Sequence, residues 1–373
     1  MDKSATIFGN KKFGFGAMRL PFSAEGLVES QEMFDTFIRE GFTYFDTAYV
    51  YGQGKSENVI KELLVKRYPR EAYTVADKLP IWIAKSEGLS MEQIFNTSLE
   101  RTGLDYFDYY LVHSVDDGSL KDIDEYGAWE YVAKLKEEGK VRHIGFSFHG
   151  SPETLEKILA AHPEMEFVQL QINYLDWEDG GVASCRCYEI ARKYNKPIIV
   201  MEPVKGGTLS VLRPEIADIL KVVDPDASPS ALAIKFAASL EGVEMVLSGM
   251  STMDQTKDNL SYMADFKPLT NEQIEIMINA GMKIKEIPTI PCTACDYCAD
   301  GCPQNIPISK FIRAYNNYIM FDNEGRLRGD VRWMSKELAS PDSCIGCGAC
   351  ENVCPQHLKI IDHLKTISEF SDK

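Results

Sequence analysis

The sequence predicts an α/β protein, a closed (β/α)8 TIM barrel followed by a smaller and mostly helical domain. Three observations predict it. Between residue 13 and about residue 250, short β-branched and aromatic runs alternate with longer stretches of helical period, the pattern of parallel strands joined by crossover helices. The alternation occurs eight times, the number that closes a barrel. Two prolines in the five residues Ile287-Pro288-Thr289-Ile290-Pro291 then fix an extended linker, and beyond it the chain turns cysteine-rich. The expected domains are 1–286 and 287–373.

The strands expected, in order, are Phe13–Gly16, Thr43–Thr47, Tyr73–Lys78, Asp108–His113, Val141–Ser147, Glu166–Ile172, Pro197–Met201 and Met245–Gly249. The helices expected between and after them are Glu29–Glu40, Glu57–Lys66, Met91–Thr102, Glu125–Glu138, Pro152–Ala161, Val182–Tyr194, Ser230–Glu241, Thr256–Ala264 and Asn271–Lys285. Met91–Thr102 carries Ile94, Phe95 and Leu99 at helical spacing, and Glu125–Glu138 runs into Gly139, a C-cap residue. Ser309–Phe321 and Leu358–Ser368 read as helices of the second domain. A doubly wound sheet is the alternative α/β architecture. Against it, Gly14-Phe15-Gly16-Ala17-Met18-Arg19 lacks the third glycine of a dinucleotide fingerprint and continues into Leu20-Pro21 instead of a helix.

At 373 residues and 45% apolar, the chain can bury one large core and a small one. Forty Lys and Arg against 56 Asp and Glu give a net charge of −16, which repels a phosphate backbone, so nucleic acid is not an expected partner. No apolar run approaches the roughly 18 residues that span a bilayer, and residues 1–6 lack a basic segment followed by an apolar one. A cytoplasmic setting is expected, where thiols stay reduced and can ligate iron.

Eight of the ten cysteines repeat one spacing: Cys292-x-x-Cys295-x-x-Cys298-x-x-x-Cys302-Pro303, then Cys344-x-x-Cys347-x-x-Cys350-x-x-x-Cys354-Pro355. This is the bacterial ferredoxin run, in which thiolates hold [4Fe–4S] clusters. Zinc is the alternative, since it also uses C-x-x-C pairs, but a structural zinc site is complete at four ligands and leaves the third close cysteine and the Cys-Pro unexplained. The resemblance to two-cluster ferredoxins, where the fourth sulfurs are exchanged, implies one cluster on Cys292, Cys295, Cys298 and Cys354 and the other on Cys344, Cys347, Cys350 and Cys302. Cys185-x-Cys187 has no further ligands nearby and reads as two helix thiols.

Catalytic groups of a barrel come from the C-terminal ends of its strands and the loops beyond. Here strand two ends Phe45-Asp46-Thr47-Ala48-Tyr49-Val50-Tyr51-Gly52, strand three ends Asp77-Lys78 and strand four ends Val112-His113. An acid, a phenol, an ammonium and an imidazole thus leave three successive strands. Each has a structural reading as well: Asp46 as a helix cap, Tyr51 as a turn aromatic, Lys78 as a solvated strand end and His113 as a buried, hydrogen-bonded ring.

The Phe-Asp-Thr-Ala-x-x-Tyr-Gly stretch with the Lys and the His resembles the aldo-keto reductase tetrad, which implies Asp46, Tyr51, Lys78 and His113 in its roles. Tyr51 would be the proton donor and Lys78 would lower its pKa. Asp46 would hold Lys78, and a neutral His113 would orient a carbonyl. The resemblance extends to nicotinamide nucleotide contacts, NADP(H) or NAD(H): Ser147 and Gln171 for the carboxamide, the loop Glu202-Pro203-Val204-Lys205-Gly206-Gly207 for the pyrophosphate, and Gly249, Asp258 and Asn259 towards the adenosine. Met201 stands where the family often stacks a tyrosine, and Gln255 where it often places an arginine, with Lys257 or Lys205 as compensating cations. Met18, Arg19, Tyr49, Trp82 and His149 follow strand ends and are candidate substrate contacts. Both parts together resemble the branch of this family that carries a C-terminal dicluster ferredoxin-like domain, which implies an oxidoreductase acting on a small carbonyl or alcohol and electron transfer through two [4Fe–4S] clusters. A ferredoxin-linked reductase served by a ferredoxin- or flavodoxin-type carrier, without nicotinamide turnover, is the second reading. A non-catalytic redox sensor or binding module is the third.

Overall fold

The computed structural model describes residues 7–9 and 11–371; residues 1–6, on which the expectation of no secretory signal rests, lie outside the described residues. Eight parallel strands, β1 (Phe13–Gly16), β2 (Tyr44–Asp46), β3 (Thr74–Leu79), β4 (Phe107–Val115), β5 (Val141–Phe148), β6 (Phe167–Gln171), β7 (Ile198–Met201) and β8 (Val243–Ser248), close into a barrel in chain order. β8 returns to pair with β1, Leu247 beside Gly14.

Strand alternation decides what points inward. Tyr44, Ala76, Tyr109, Leu111, Phe167, Ile199, Met245 and Leu247 share one apolar cluster in the barrel interior. Phe8 joins it, stacked on Tyr109 at 5.1 Å and edge-on to Phe167 at 5.2 Å, while the Ile7 carbonyl accepts from the Tyr109 hydroxyl at 2.7 Å. These contacts fill the end where the strands begin. Small residues make room for the large ones: a Cβ on Gly14 would sit 2.7 Å from Leu247, and one on Gly145 would sit 2.6 Å from the Phe167 carbonyl oxygen. Two positions further along β2, β3 and β4, the same inward row becomes Asp46, Lys78 and His113. The polar row therefore lies at the C-terminal mouth because the strands keep their period.

The helices follow the expected order with informative differences. The first barrel helix starts earlier than expected, at Ala24, because Ser23 caps it by accepting from Gly26 N at 3.1 Å. The stretch expected as one helix over Glu125–Glu138 is two, Leu120–Glu125 and Ala128–Glu137, broken by Gly127 at φ +66°. Ile81–Glu87, Pro214–Leu220 and Glu324–Glu337 are helices the periodicity did not reveal.

The described residues divide into two compact units, one of those up to 207 with 223–278, the other of 208–222 with those from 279 onward. The second unit packs helices Ile308–Phe321, Glu324–Glu337 and Ile360–Ser368 around Ile308, Phe311, Ile312, Leu327, Val331, Ile360, Leu364 and Ile367. Its early segment is tied in by polar contacts: Arg326 Nη1 donates to Thr208 Oγ1 at 2.7 Å, and Arg213 Nη1 to the Ile319 carbonyl at 3.1 Å. Among the described residues, no helix is long and apolar enough to cross a membrane.

Candidate active site and cysteine cavities

Asp46 ends β2, Lys78 is the penultimate residue of β3, and His113 lies near the end of β4. Tyr51 stands on the loop after β2, where Gly52, Gln53 and Gly54 all take left-handed backbone, at φ +57°, +58° and +84°. That turn ends at once in helix Lys55–Ile60, and Ser56 anchors it by donating to the Ala17 carbonyl at 3.0 Å and bonding the Thr47 hydroxyl at 2.7 Å.

The four side chains converge. Lys78 Nζ donates to Asp46 Oδ1 at 2.5 Å and to the Thr47 carbonyl at 2.7 Å. The same nitrogen lies 4.8 Å from the centre of the Tyr51 ring. The Tyr51 and His113 rings meet edge to face at 5.9 Å, and Trp82 leans on His113 at 5.0 Å. His113 Nδ1 is buried and has no hydrogen-bond partner among the described residues. Gln169 Nε2 donates to the other Asp46 oxygen at 3.4 Å.

The electrostatics follow from an ion pair taken out of water. Burial pushes Asp46 above the usual carboxylate range, against the pull of Lys78 and Gln169. Burial also works against the Lys78 charge, but Asp46, the foremost of its acidic neighbours by both charge and hydrogen bond, outweighs it and its pKa is raised, so Lys78 is an ammonium. Asp46 moves upward because its burial outweighs its one cation, and Lys78 moves upward because the charge and hydrogen bond of Asp46 outweigh its burial. Burial, then the charges of Lys78 and His149, push His113 well below the usual imidazole range, which keeps it neutral. Tyr51 departs from expectation. Burial is the largest effect and Asp46 adds to it, against Lys78, which favours the phenolate, so the Tyr51 pKa is raised, not lowered.

At the same mouth, the Ser147 hydroxyl accepts from Ser114 N at 2.7 Å, and Gln171, paired with Met201 across β6 and β7, donates to Glu202 Oε2 at 3.2 Å. Glu202, Lys205, Gly206 and Gly207 have φ between +48° and +87°, so the loop after β7 turns tightly around Pro203. A Cβ on Gly206 would meet the Arg19 guanidinium at 3.0 Å, and one on Gly249 the Arg19 stem at 3.3 Å. The two glycines thus leave a lane in which an arginine faces bare backbone, a donor set that suits a pyrophosphate. Lys205 is not a free cation there, because Asp176 holds its ammonium at 2.7 Å. Asp258 accepts from Ser228 at 2.7 Å, and Asn259 is buried between Ser248 and Tyr262. Gln255 accepts from Ser251 N at 2.8 Å. Sequence reasoning missed Gln169, although its place two residues before Gln171 in an apolar strand puts both on the inward face.

In the second unit the eight repeated cysteines line two cavities. Cys292, Cys295, Cys298 and Cys354 surround one of about 340 Å³, and Cys302, Cys344, Cys347 and Cys350 surround another of about 310 Å³, both partly open to solvent. The backbone repeats with the sequence. Ala294, Asp296 and Asn305 are left-handed in the first run, and Gly346, Gly348 and His357 occupy the matching places in the second. Burial, with Cys292 and Cys295 beside it, pushes the Cys298 thiol up to about 11. Among the described residues, no three His, Cys, Asp or Glu side chains close on a position for a single ion, so these thiols ring a volume instead of a point. A donor set of four sulfurs around each volume fits an iron–sulfur cubane.

Comparison with known proteins agrees with both parts. Residues 291–360 match the 4Fe-4S dicluster domain model. The "Probable aldo-keto reductase 1" of Glycine max is 32% identical over 193 residues, which is 48% of this chain and 53% of that protein, so the chain spans about half its length. The "L-galactose dehydrogenase" of Arabidopsis thaliana is 26% identical over 282 residues, 70% of this chain and 86% of that protein. A solved aldo-keto reductase from Klebsiella pneumoniae in complex with NADPH has the same fold, with a TM-score of 0.59 at 20% identity over 75% of this chain and 95% of that one. Because residues 12–280 match the model of the aldo/keto reductase family, the chain belongs to that family of oxidoreductases, and it joins to the barrel a 4Fe-4S dicluster domain.

Proposed function

We propose that the chain is an NAD(P)H-dependent oxidoreductase that interconverts a small carbonyl compound and its alcohol at the barrel mouth, with Tyr51 as proton donor. Residues 1–286 would carry this chemistry, and residues 287–373 would carry two [4Fe–4S] clusters for electron transfer. The observation that supports it most is the buried Lys78–Asp46 pair at 2.5 Å with the Tyr51 ring 4.8 Å from the ammonium. Four separate structural roles would not need an acid, a cation, a phenol and an unpartnered imidazole in one place.

The nucleotide, held by Ser147, Gln171, Met201, the Glu202–Gly207 loop, Gly249, Asp258 and Asn259, would supply hydride. The chain's own residues do the rest. Tyr51, kept as a phenol by burial, holds a proton where charge develops on a carbonyl oxygen. Lys78 offsets the phenolate left when that proton moves. Asp46, fixed by Gln169, keeps Lys78 from swinging away. Neutral His113 offers a ring nitrogen to orient the carbonyl, and Trp82 packs against its ring.

Clusters on Cys292, Cys295, Cys298 and Cys354, and on Cys344, Cys347, Cys350 and Cys302, would move electrons singly, whereas hydride carries two. That mismatch, together with two complete four-cysteine cavities, favours a second reading: a reductase fed by a ferredoxin- or flavodoxin-type carrier. Titrating anaerobically purified protein with NADPH and NADH, with and without an aldehyde panel, separates the two. Nicotinamide oxidation that depends on the aldehyde supports the first. Cluster bleaching by a one-electron donor, with substrate reduction and no nicotinamide present, replaces it with the second.

A further inference from the structure

Behind Lys78 lies a second pair of buried acids that the mechanism above leaves unused. Asp77, next to Lys78 in β3, points away from the barrel interior towards Glu57 of helix Lys55–Ile60; both are 0% exposed. Each carboxyl has one satisfied oxygen. Asp77 Oδ1 accepts from Lys78 N at 2.7 Å, and Glu57 Oε2 accepts from Arg101 Nη1 at 2.9 Å. The other two oxygens, Asp77 Oδ2 and Glu57 Oε1, are buried with no hydrogen-bond partner among the described residues, and the two carboxyls lie close enough for the charge of Glu57 to bear on Asp77. Two ionised carboxylates offer each other no hydrogen, so these orphaned oxygens can satisfy one another only if one of the acids carries a proton.

We propose that Asp77 and Glu57 share one proton, resident on Asp77, and that the pair is a positioning element that keeps a second negative charge away from Lys78 and Tyr51. The asymmetry of the surroundings places the proton. Glu57 has a cation, Arg101, on helix Met91–Thr102, and the Ser98 hydroxyl beside it. Asp77 has a backbone N–H and the Tyr110 ring on β4, whose own hydroxyl is buried without a partner. Burial, followed by the Glu57 charge, pushes Asp77 well above the carboxylate range, and burial raises Glu57 too, against Ser98 and Arg101.

The neighbours show why the location of the charge matters. Lys78 faces Asp46 and Tyr51 on its inward side, and an ionised Asp77 raises the proton affinity of both Lys78 and Tyr51. With Asp77 neutral, Lys78 meets one carboxylate instead of two, and the phenol gives up its proton more readily. The pair also ties the helix that follows Tyr51 to the strand that carries Lys78, and Arg101 extends the tie to the Tyr49 carbonyl at 3.2 Å.

The inference about charge rests on Tyr51 as proton donor; the shared proton does not, and the tests are separate. Infrared difference spectra of full-length, cluster-loaded protein at neutral pH should show a protonated carboxylic acid band that Asp77→Asn removes. Should that variant not fold, wild-type protein carrying carbon-13 in its aspartate carboxyls should show the band shifted. No protonated aspartic acid band in either experiment overturns the proposal. The second test is the pH profile of kcat with NADPH and 4-nitrobenzaldehyde. In Glu57→Gln the new amide donates to Asp77 and leaves it ionised, so the basic limb should move up by roughly one pH unit. Asp77→Asn imitates the protonated acid and should leave that limb in place. Equal shifts in both variants overturn the positioning role. An infrared band present in a protein whose turnover survives Tyr51→Phe overturns the tyrosine reading and leaves the shared proton standing.

Discussion

Replacing Lys78 by methionine removes the cation from a pair whose side chains are 1% and 4% exposed. Asp46 is then left with Gln169 at 3.4 Å and no charge to answer its own. Breaking a buried pair from one side costs about 3–5 kcal/mol, because the remaining charge must be ionised without a partner or take up a proton. Asp46 already sits above the usual carboxylate range with Lys78 present, so in Lys78→Met it takes up a proton. A carboxyl whose folded pKa exceeds its unfolded value near 3.9 carries no ionisation penalty below about pH 4. Above that the penalty grows by about 1.4 kcal/mol per pH unit until the folded pKa is reached. A loss of about 4 kcal/mol at pH 7 therefore shrinks to about 1.5 kcal/mol at pH 5. Urea unfolding followed by far-ultraviolet circular dichroism at both pH values measures it. Adding Asp46→Asn to the variant should abolish the pH dependence. Equal destabilisation at pH 5 and pH 7, or a pH dependence that survives Asp46→Asn, would refute the assignment of the buried charge to Asp46.

Three other outcomes follow from the same coordinates. If the ligands are exchanged as proposed, Cys302→Ser should disturb the cluster assigned to Cys344, Cys347 and Cys350 and spare the one assigned to its own run; iron and sulfide analysis with electron paramagnetic resonance of each reduced cluster reads this, and loss confined to the Cys292–Cys298 run would contradict it. Burial pushes Glu166 up, but His143, Lys136 and the Ile144 N–H outweigh burial and hold it at about 2. Its contribution is present above about pH 4.5 and lost as pH falls towards 2, so Glu166→Gln should cost about 1–2 kcal/mol at neutral pH, allowing for partial exposure, and almost nothing near pH 2, as denaturant midpoints would show. Gly145→Ala should destabilise by about 2–3 kcal/mol, and by more than Gly14→Ala, because its new Cβ meets a backbone oxygen while that of Gly14 meets side chains that can turn.

The barrel was legible because parallel strands buried on both faces leave short, nearly continuous apolar runs between helical stretches, and eight such alternations point to one closed arrangement. The convergence of these side chains was legible for the same reason: once Asp46, Lys78 and His113 are placed at strand ends, the period of two turns them inward together. Helix ends were less legible. Ser23 and Gly127 act through one hydrogen bond and one left-handed residue, signals too local for a periodicity scan. The sign of the Tyr51 shift was not readable either, since it depends on how burial compares with the Lys78 charge, and burial is a property of the fold. Gln169, Glu57 and Asp77 escaped notice because each matters through a partner far away in sequence.

The most direct test of the site is Tyr51→Phe, which deletes one oxygen from a partly buried ring and leaves its packing on His113. Aldehyde reduction by anaerobic, cluster-loaded protein should fall by about 10²–10⁴-fold, the range for a lost general acid, while NADPH affinity stays as in the wild type. Turnover within a few-fold of the wild type would contradict the account, because the proton would then come from elsewhere.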